Sequence, residues 1–248
     1  MIDSAFTLIH SGLPREAPGS ERSSRRALRL LGSLLDQARV LDMGCGPGKQ
    51  TLVLADVLQG SRITAVDIYQ PYLDQLQRAV GEQGLADRIE VINASMDRLD
   101  LEPGSVDLIW AEGSAYSIGV ENALRVWRPL LKSRGLLGFT ELTWLVDERP
   151  AAAVEFWASG YPAMTDRAGN LAQLAAAGYE VIDSFVLPAS DWWDDYYTPL
   201  LERLGSLEKQ AMQDRNLAAA IESTRLEIEM YRRYGESFGY VFYLARRG

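Results

Sequence analysis

The chain has 248 residues, 47% hydrophobic and 24% charged, the values of a soluble protein with room for a sizeable core. Its 25 Lys plus Arg against 34 Asp plus Glu leave a net charge of −9, which excludes the strongly basic profile of a DNA binder and disfavours RNA. One Cys rules out an internal disulfide framework, a Cys-rich zinc site and a Cys-ligated iron–sulfur cluster within one chain, and one His rules out any site needing two histidines per chain.

No apolar run reaches the roughly 18–20 residues of a membrane span. Met1–Ser20 lacks the basic start and apolar centre of a secretory signal. The expectation is a soluble, cytoplasmic protein, with a homodimer compatible with the sequence.

Gly12, Pro14, Pro18 and Gly19 predict an irregular N-terminal arm over residues 1–22. Ser20 or Ser23 can cap a helix in which Ala27, Leu28, Leu31, Leu34 and Leu35 share a face. A repeating pattern follows. Arg39–Met43 reads as a strand running into a glycine cluster, Gln50–Leu58 as a helix, and Arg62–Val66 as a strand ending at Asp67. Tyr72, Leu73, Leu76, Ala79 and Val80 form a helical stripe. Ile89–Ile92 and Val106–Trp110 read as strands, and Leu124, Trp127 and Leu131 as a helix broken by Pro129.

Gly135–Trp144 reads as a fifth strand, Asn170–Ala177 as a helix and Glu180–Leu187 as a strand. The acidic and aromatic stretch Ser190–Tyr197 precedes a long helical region with the stripes Leu200, Leu204, Leu207, Ala211 and Leu217, Ile221, Thr224, Ile228, Tyr231. Phe238–Ala245 is a final strand. Strands alternating with helices predict right-handed crossovers and a mostly parallel seven-stranded sheet flanked by helices. Residues 24–145 would form a ligand-binding core, and 188–236 a helical insertion before the last strand, serving as a lid or an interface. No Ser/Gly linker divides the chain, so it reads as a single domain.

Val40–Gly48 is the most informative segment. Gly44, Gly46 and Gly48 alternate between a strand and a helix, which lets backbone approach a ligand. A nucleotide-hydrolase phosphate loop fails, because only three residues separate Gly44 from Gly48 and Gln50 stands where Ser or Thr should hold magnesium. The dinucleotide fingerprint fits poorly, because Lys49 occupies the place of its third small residue. Asp42, two residues before the first glycine, suits a ligand with an ammonium group. That leaves S-adenosylmethionine as the third ligand class, with the loop N–H groups taking its carboxylate. A ligand-free tight turn is the bland alternative.

Asp42-Met-Gly-Cys-Gly-Pro-Gly48, followed by Asp67 at the next strand end, resembles the glycine-rich motif of class I S-adenosylmethionine-dependent methyltransferases. The resemblance spans roughly residues 18–145 and is to the small-molecule type exemplified by ubiquinone and menaquinone biosynthesis. Ala111–Gly119 and Asp147–Pro150 also look like segments of a bacterial subset of that family. It implies a Rossmann-like class I methyltransferase fold and an enzyme with S-adenosylmethionine as cofactor and S-adenosylhomocysteine as product. The methyl would pass to an O, N or C nucleophile of a small-molecule acceptor by in-line displacement.

Ligands of such sheets sit beyond the carboxyl ends of the strands. The expected cofactor residues are therefore Asp42, Gly44, Cys45, Gly46 and Gly48 at the first strand, and Asp67 for the ribose with Ile68 against the adenine. Ser95, Met96 and Asp97 follow the third strand, and Glu112 ends the fourth. The family often has an acid at the Ser95 position, so Asp97 is the substitute acceptor. Cys45 reads as a small spacer rather than a nucleophile.

Glu112, Tyr116 and His10 are the candidates for a catalytic base, while Glu112 and Glu141 read equally as structural acceptors. The amino-group motif of Asn or Asp followed by two prolines and an aromatic is absent after the fourth strand, which disfavours adenine or glutamine amides. No carboxylate-rich metal cluster is visible. The alternatives are a protein or RNA methyltransferase, a non-catalytic S-adenosylmethionine-binding protein and, with the poorer loop match, a nicotinamide-dependent oxidoreductase.

Overall fold

Arg39–Met43 forms strand β1, with four of its five residues buried because other strands flank it on both sides. The computed structural model describes residues 4–32 and 37–248. β2 (Arg62–Asp67) and β3 (Ile89–Asn93) extend the sheet to one side of β1. β4 (Val106–Glu112), β5 (Leu131–Trp144), β6 (Tyr179–Val186) and β7 (Phe238–Arg247) extend it to the other. The order is β3-β2-β1-β4-β5-β7-β6, and β7 alone runs antiparallel to its neighbours. This is the expected seven-stranded fold. The chain reverses its direction of travel between β1 and β4, and that switch point opens a crevice at their carboxyl ends.

Helices pack on both faces. Before and between the strands lie α1 (Ser4–His10), α2 (Glu21–Leu31), α3 (Lys49–Val57), α4 (Gln70–Glu82), α5 (Val120–Trp127), α6 (Ala151–Gly160) and α7 (Arg167–Ala176). Between β6 and β7 come α8 (Ala189–Trp192), a π-helical turn (Trp193–Tyr197), α9 (Thr198–Ala211) and α10 (Arg215–Tyr234). One core holds Leu28, Leu54, Leu76, Trp110 and Phe242 together with the insertion's Leu204 and Ile221. The opposite core holds Met43, Ile109, Trp127, Phe139 and Tyr243. No described helix is long and apolar enough to cross a membrane.

Several expectations change. The N-terminal arm contains α1, whose Thr, Phe and Ile are weak helix formers held by tertiary packing. Arg203 on α9 donates to the Leu8 carbonyl at 2.9 Å, and the Tyr69 hydroxyl meets Thr7 at the same distance. Leu131 opens β5 instead of closing the helix before it, since a 3₁₀ turn at Arg128–Leu130 around Pro129 redirects the chain. The Ala-rich α6 was not foreseen. Ser20 caps α2, accepting from the Ser23 amide at 3.2 Å. The stripe residues Leu34 and Leu35 lie outside the described residues.

Leu204 is wholly buried where α9 joins the core. Leu204→Ala is expected to lower the unfolding free energy by about 2–5 kcal/mol in urea titration.

Candidate active site

The glycine loop closes tightly on its neighbours. Gly44 has φ +68°, and a Cβ there would lie 2.4 Å from the Cβ of Ser114. Gly48, at φ +91°, would drive a Cβ to 2.3 Å from Leu76 just before α3 begins. The amides of Gly44 and Cys45 both donate to the Val66 carbonyl, at 2.8 and 2.9 Å, and the Gly48 amide donates to Cys45. The Gly46 amide donates to Asp67 Oδ2 at 2.9 Å, and Tyr69 donates to Oδ1 at 2.9 Å. These loop N–H groups are thus satisfied internally, contrary to the expectation that they wait for a carboxylate. They hold β1 and β2 together and fix the Asp67 carboxylate at the lip of the crevice.

A cavity of about 470 Å³ fills that crevice. Gly44, Cys45, Gly46, Asp67, Ile68, Ser95, Met96 and Glu112 line it, as do Tyr116 and His10. Asp42, Gly48 and Asp97 stand outside its wall. Asp42 is completely buried behind the loop and accepts from the Thr51 hydroxyl of α3 at 2.6 Å. Burial pushes its carboxyl up to about 7, against the pull of Thr51. It braces the loop. Gly48 packs on α4, and the Asp97 carboxylate turns to the Ser95 hydroxyl at 2.5 Å. Cys45 is buried, and desolvation raises its thiol well above the usual range, which fits a spacer.

The three catalytic candidates fare differently. Glu112 Oε2 takes Arg15 Nη1 at 2.8 Å, while Oε1 takes the Ser24 hydroxyl at 2.6 Å and the Trp110 indole at 2.8 Å. Its lone pairs hold structure, so it is a poor general base, a correction to the expectation. His10 Nδ1 lies 2.5 Å from Glu16 Oε2 and its ring stacks on Phe6. Tyr116 presents its ring to the cavity, edge-on to Tyr161.

A second cavity of about 600 Å³ adjoins the first. The two share Glu16, Ala17, Tyr116, Tyr196 and Glu227 as walls. Arg15, Glu16, Tyr72 and Glu227 escaped sequence reading. Arg15 and Glu16 are the only charged residues in a Pro/Gly-rich segment, and Glu227 interrupts the apolar face of α10 between Thr224 and Tyr231; both were readable signals. The stretch Asp191–Tyr197 packs as expected, with Trp192 stacked on Tyr231 at 3.9 Å. Two of its rings, those of Trp192 and Tyr196, line cavity walls.

Residues 40–135 match the family model described as a methyltransferase domain. The chain shares 30% identity over 139 residues with a sarcosine/dimethylglycine N-methyltransferase of Halorhodospira halochloris, covering 54% of this chain and 50% of that protein. It shares 29% over 127 residues with a malonyl-[acyl-carrier protein] O-methyltransferase of Enterobacter lignolyticus, covering 46% and 47%. The chain spans about half the length of these curated relatives.

The fold matches a solved S-adenosylmethionine-dependent methyltransferase from Thiobacillus denitrificans in complex with S-adenosyl-L-homocysteine, with a TM-score of 0.83 and 20% identity over 100% of this chain and 99% of that one. It also matches the [4+2]-cyclase SpnF, with a TM-score of 0.72 and 22% identity over 94% and 83%. The fold is therefore the class I methyltransferase fold, and the Thiobacillus denitrificans protein that shares it holds S-adenosyl-L-homocysteine, the demethylated form of S-adenosylmethionine.

The residues present fit that cofactor. Arg15 is 4% exposed and lines the first cavity, yet its Nε and Nη2 have no hydrogen-bond partner. A buried guanidinium with unused donors suits the cofactor's carboxylate. Ile68 is exposed beside Asp67, placed for an adenine face and a ribose respectively.

Two outcomes follow. Glu112→Gln strands the buried Arg15 charge and is expected to cost about 3–5 kcal/mol of stability in urea titration. Burial raises Glu141, on β5, to about 8, while Tyr161 and the Leu142 amide pull it down. Because its folded pKa lies above its unfolded value, its stabilising contribution is complete below about pH 4.5 and is lost as pH rises through about 8. The melting temperature of Glu141→Gln is expected to fall less than that of the native protein between pH 5 and 8.5.

Proposed function

We propose that the protein is an S-adenosylmethionine-dependent methyltransferase acting on a small molecule, with cofactor in the first cavity and acceptor in the second. The observation that carries this reading is the shared wall: a chamber bounded by the glycine loop and Asp67 has Glu16, Tyr116, Tyr196 and Glu227 in common with a second one bordered by the arm, α6 and the insertion. A donor and an acceptor placed in the two chambers would meet there. Two adjoining clefts of about 470 and 600 Å³ are of a size for small molecules, and the net charge of −9 disfavours RNA. On this reading the enzyme works in the cytoplasm.

Bound S-adenosylmethionine supplies a methyl group already activated on a sulfonium. The chain's own contribution is binding, orientation and exclusion of water. Asp67 would accept from the ribose hydroxyls while keeping its bonds to Gly46 and Tyr69. Ile68 would cover one adenine face, and Ser95 and Met96 would border the ring. Arg15 would take the amino-acid carboxylate with the two nitrogens that Glu112 leaves free. Tyr116, Tyr196, Glu16 and Glu227 border the passage where acceptor and methyl would meet. His10, paired with Glu16, stands ready as a proton relay from that passage.

Asp67→Ala should weaken S-adenosylhomocysteine binding by about 1.5–3 kcal/mol, roughly 10- to 150-fold, in calorimetric titration. Unchanged affinity in a folded variant would contradict the assignment.

A further inference from the structure

The second cavity has an unusual combination of walls. Rings surround it: Phe156 and Trp157 on α6, Tyr161 just after it, Trp192 on α8, Tyr196 in the π-helical turn and Tyr240 on β7. Trp192 is 2% exposed and its indole N–H has no partner. Among the described residues no Lys, Arg or His lines this chamber. The charged groups on its wall are two carboxylates, Glu16 and Glu227.

Neither carboxylate is fully used. Glu16 Oε2 meets His10, but Oε1 is buried without a partner. Glu227 Oε1 accepts the Tyr197 hydroxyl at 3.0 Å, and no ion pair to Glu227 occurs among the described residues. Burial raises both carboxyls while His10 pulls them back down, so a cation brought beside them would favour their ionised forms.

This chamber repels anions. An acceptor carrying a carboxylate or phosphate would face acids and find no cation. A cation finds the opposite: negative charge at the passage and aromatic faces around it, which attract cations through their quadrupoles. The volume, about 600 Å³, suits a ligand with a substantial apolar body.

We propose that the second cavity binds an amine in its ammonium form, the charge lying beside Glu16 and Glu227 and an apolar body lying among the rings, and that this amine is the methyl acceptor. The final clause rests on the methyltransferase reading; the preference for cations does not. Transfer balances as follows. The ammonium gives one N–H proton to Glu227, and the nitrogen lone pair then forms the N–C bond as the C–S bond breaks. The C–S electron pair stays on sulfur, so the positive charge passes from sulfonium to nitrogen. A zwitterion such as sarcosine is rejected, because its carboxylate has no partner.

Calorimetric titration tests this with four probes: benzyltrimethylammonium, neutral benzyl alcohol, anionic phenylacetate and zwitterionic sarcosine. Each is titrated into the full chain with and without saturating S-adenosylhomocysteine. The cation is expected to bind at least tenfold tighter than any other probe. Glu227→Gln should weaken it at least fivefold and leave benzyl alcohol unchanged. Equal or tighter binding of a neutral or anionic probe, or no binding of the cation, overturns the proposal even where S-adenosylhomocysteine binds. If S-adenosylhomocysteine itself fails to bind, the methyltransferase reading falls, and the probe ranking in the unloaded protein still decides the cation preference. Should Glu227→Gln fail to fold, the ranking of probes on the native chain settles the matter alone.

Discussion

A buried ion pair anchors the site. Arg15 and Glu112 meet at 2.8 Å with side chains 4% and 2% exposed, 97 residues apart in the chain. Desolvating two charges is costly and their attraction offsets that cost only when the remaining hydrogen-bonding capacity is used. Glu112 satisfies the condition through Ser24 and Trp110. Arg15 does not, since two of its nitrogens are unpartnered. The imbalance is what a ligand anion would correct.

The pair also determines where the N-terminal arm lies. Arg15 ties the arm to the carboxyl end of β4, and the Gly19 amide and Ser23 hydroxyl tie the same region to Asp191 at the start of the insertion. Arm, sheet and insertion therefore converge on one point. Two chambers result, one beneath the glycine loop and one beneath the aromatic insertion, with Glu16 and Tyr116 in both walls. The fold supplies the first chamber wherever a glycine loop meets the switch point of a doubly wound sheet. Apart from Tyr116, the second is lined by residues outside the matched segment 40–135, and on the proposed reading acceptor chemistry is set there.

The sequence made the sheet legible because its central strands are apolar runs buried on both faces, and the loop legible because Gly44 and Gly48 admit no Cβ. Asp67, Ile68, Ser95 and Met96 fell where strand ends predicted. What escaped was set by long-range contact. Seven-residue α1 has no periodicity strong enough to declare itself and is held by α9 and α10. The role of Glu112 was ambiguous until its donors from α2, β4 and the arm were in place. Asp42 reads like a ligand contact in one dimension; in three, its Oδ2 accepts from Thr51 and its Oδ1 is buried without a partner, outside the cavity wall. Local pattern cannot say which side of a tight turn a side chain occupies.

The account turns on the ligand of the first chamber. Parallel calorimetric titrations of the native protein with S-adenosylhomocysteine and with NAD⁺ test it most directly. Saturable binding of S-adenosylhomocysteine, roughly micromolar, with none by NAD⁺ at the same concentration is the predicted result. Selective binding of NAD⁺, or no binding of S-adenosylhomocysteine, would contradict it and leave only the doubly wound sheet standing.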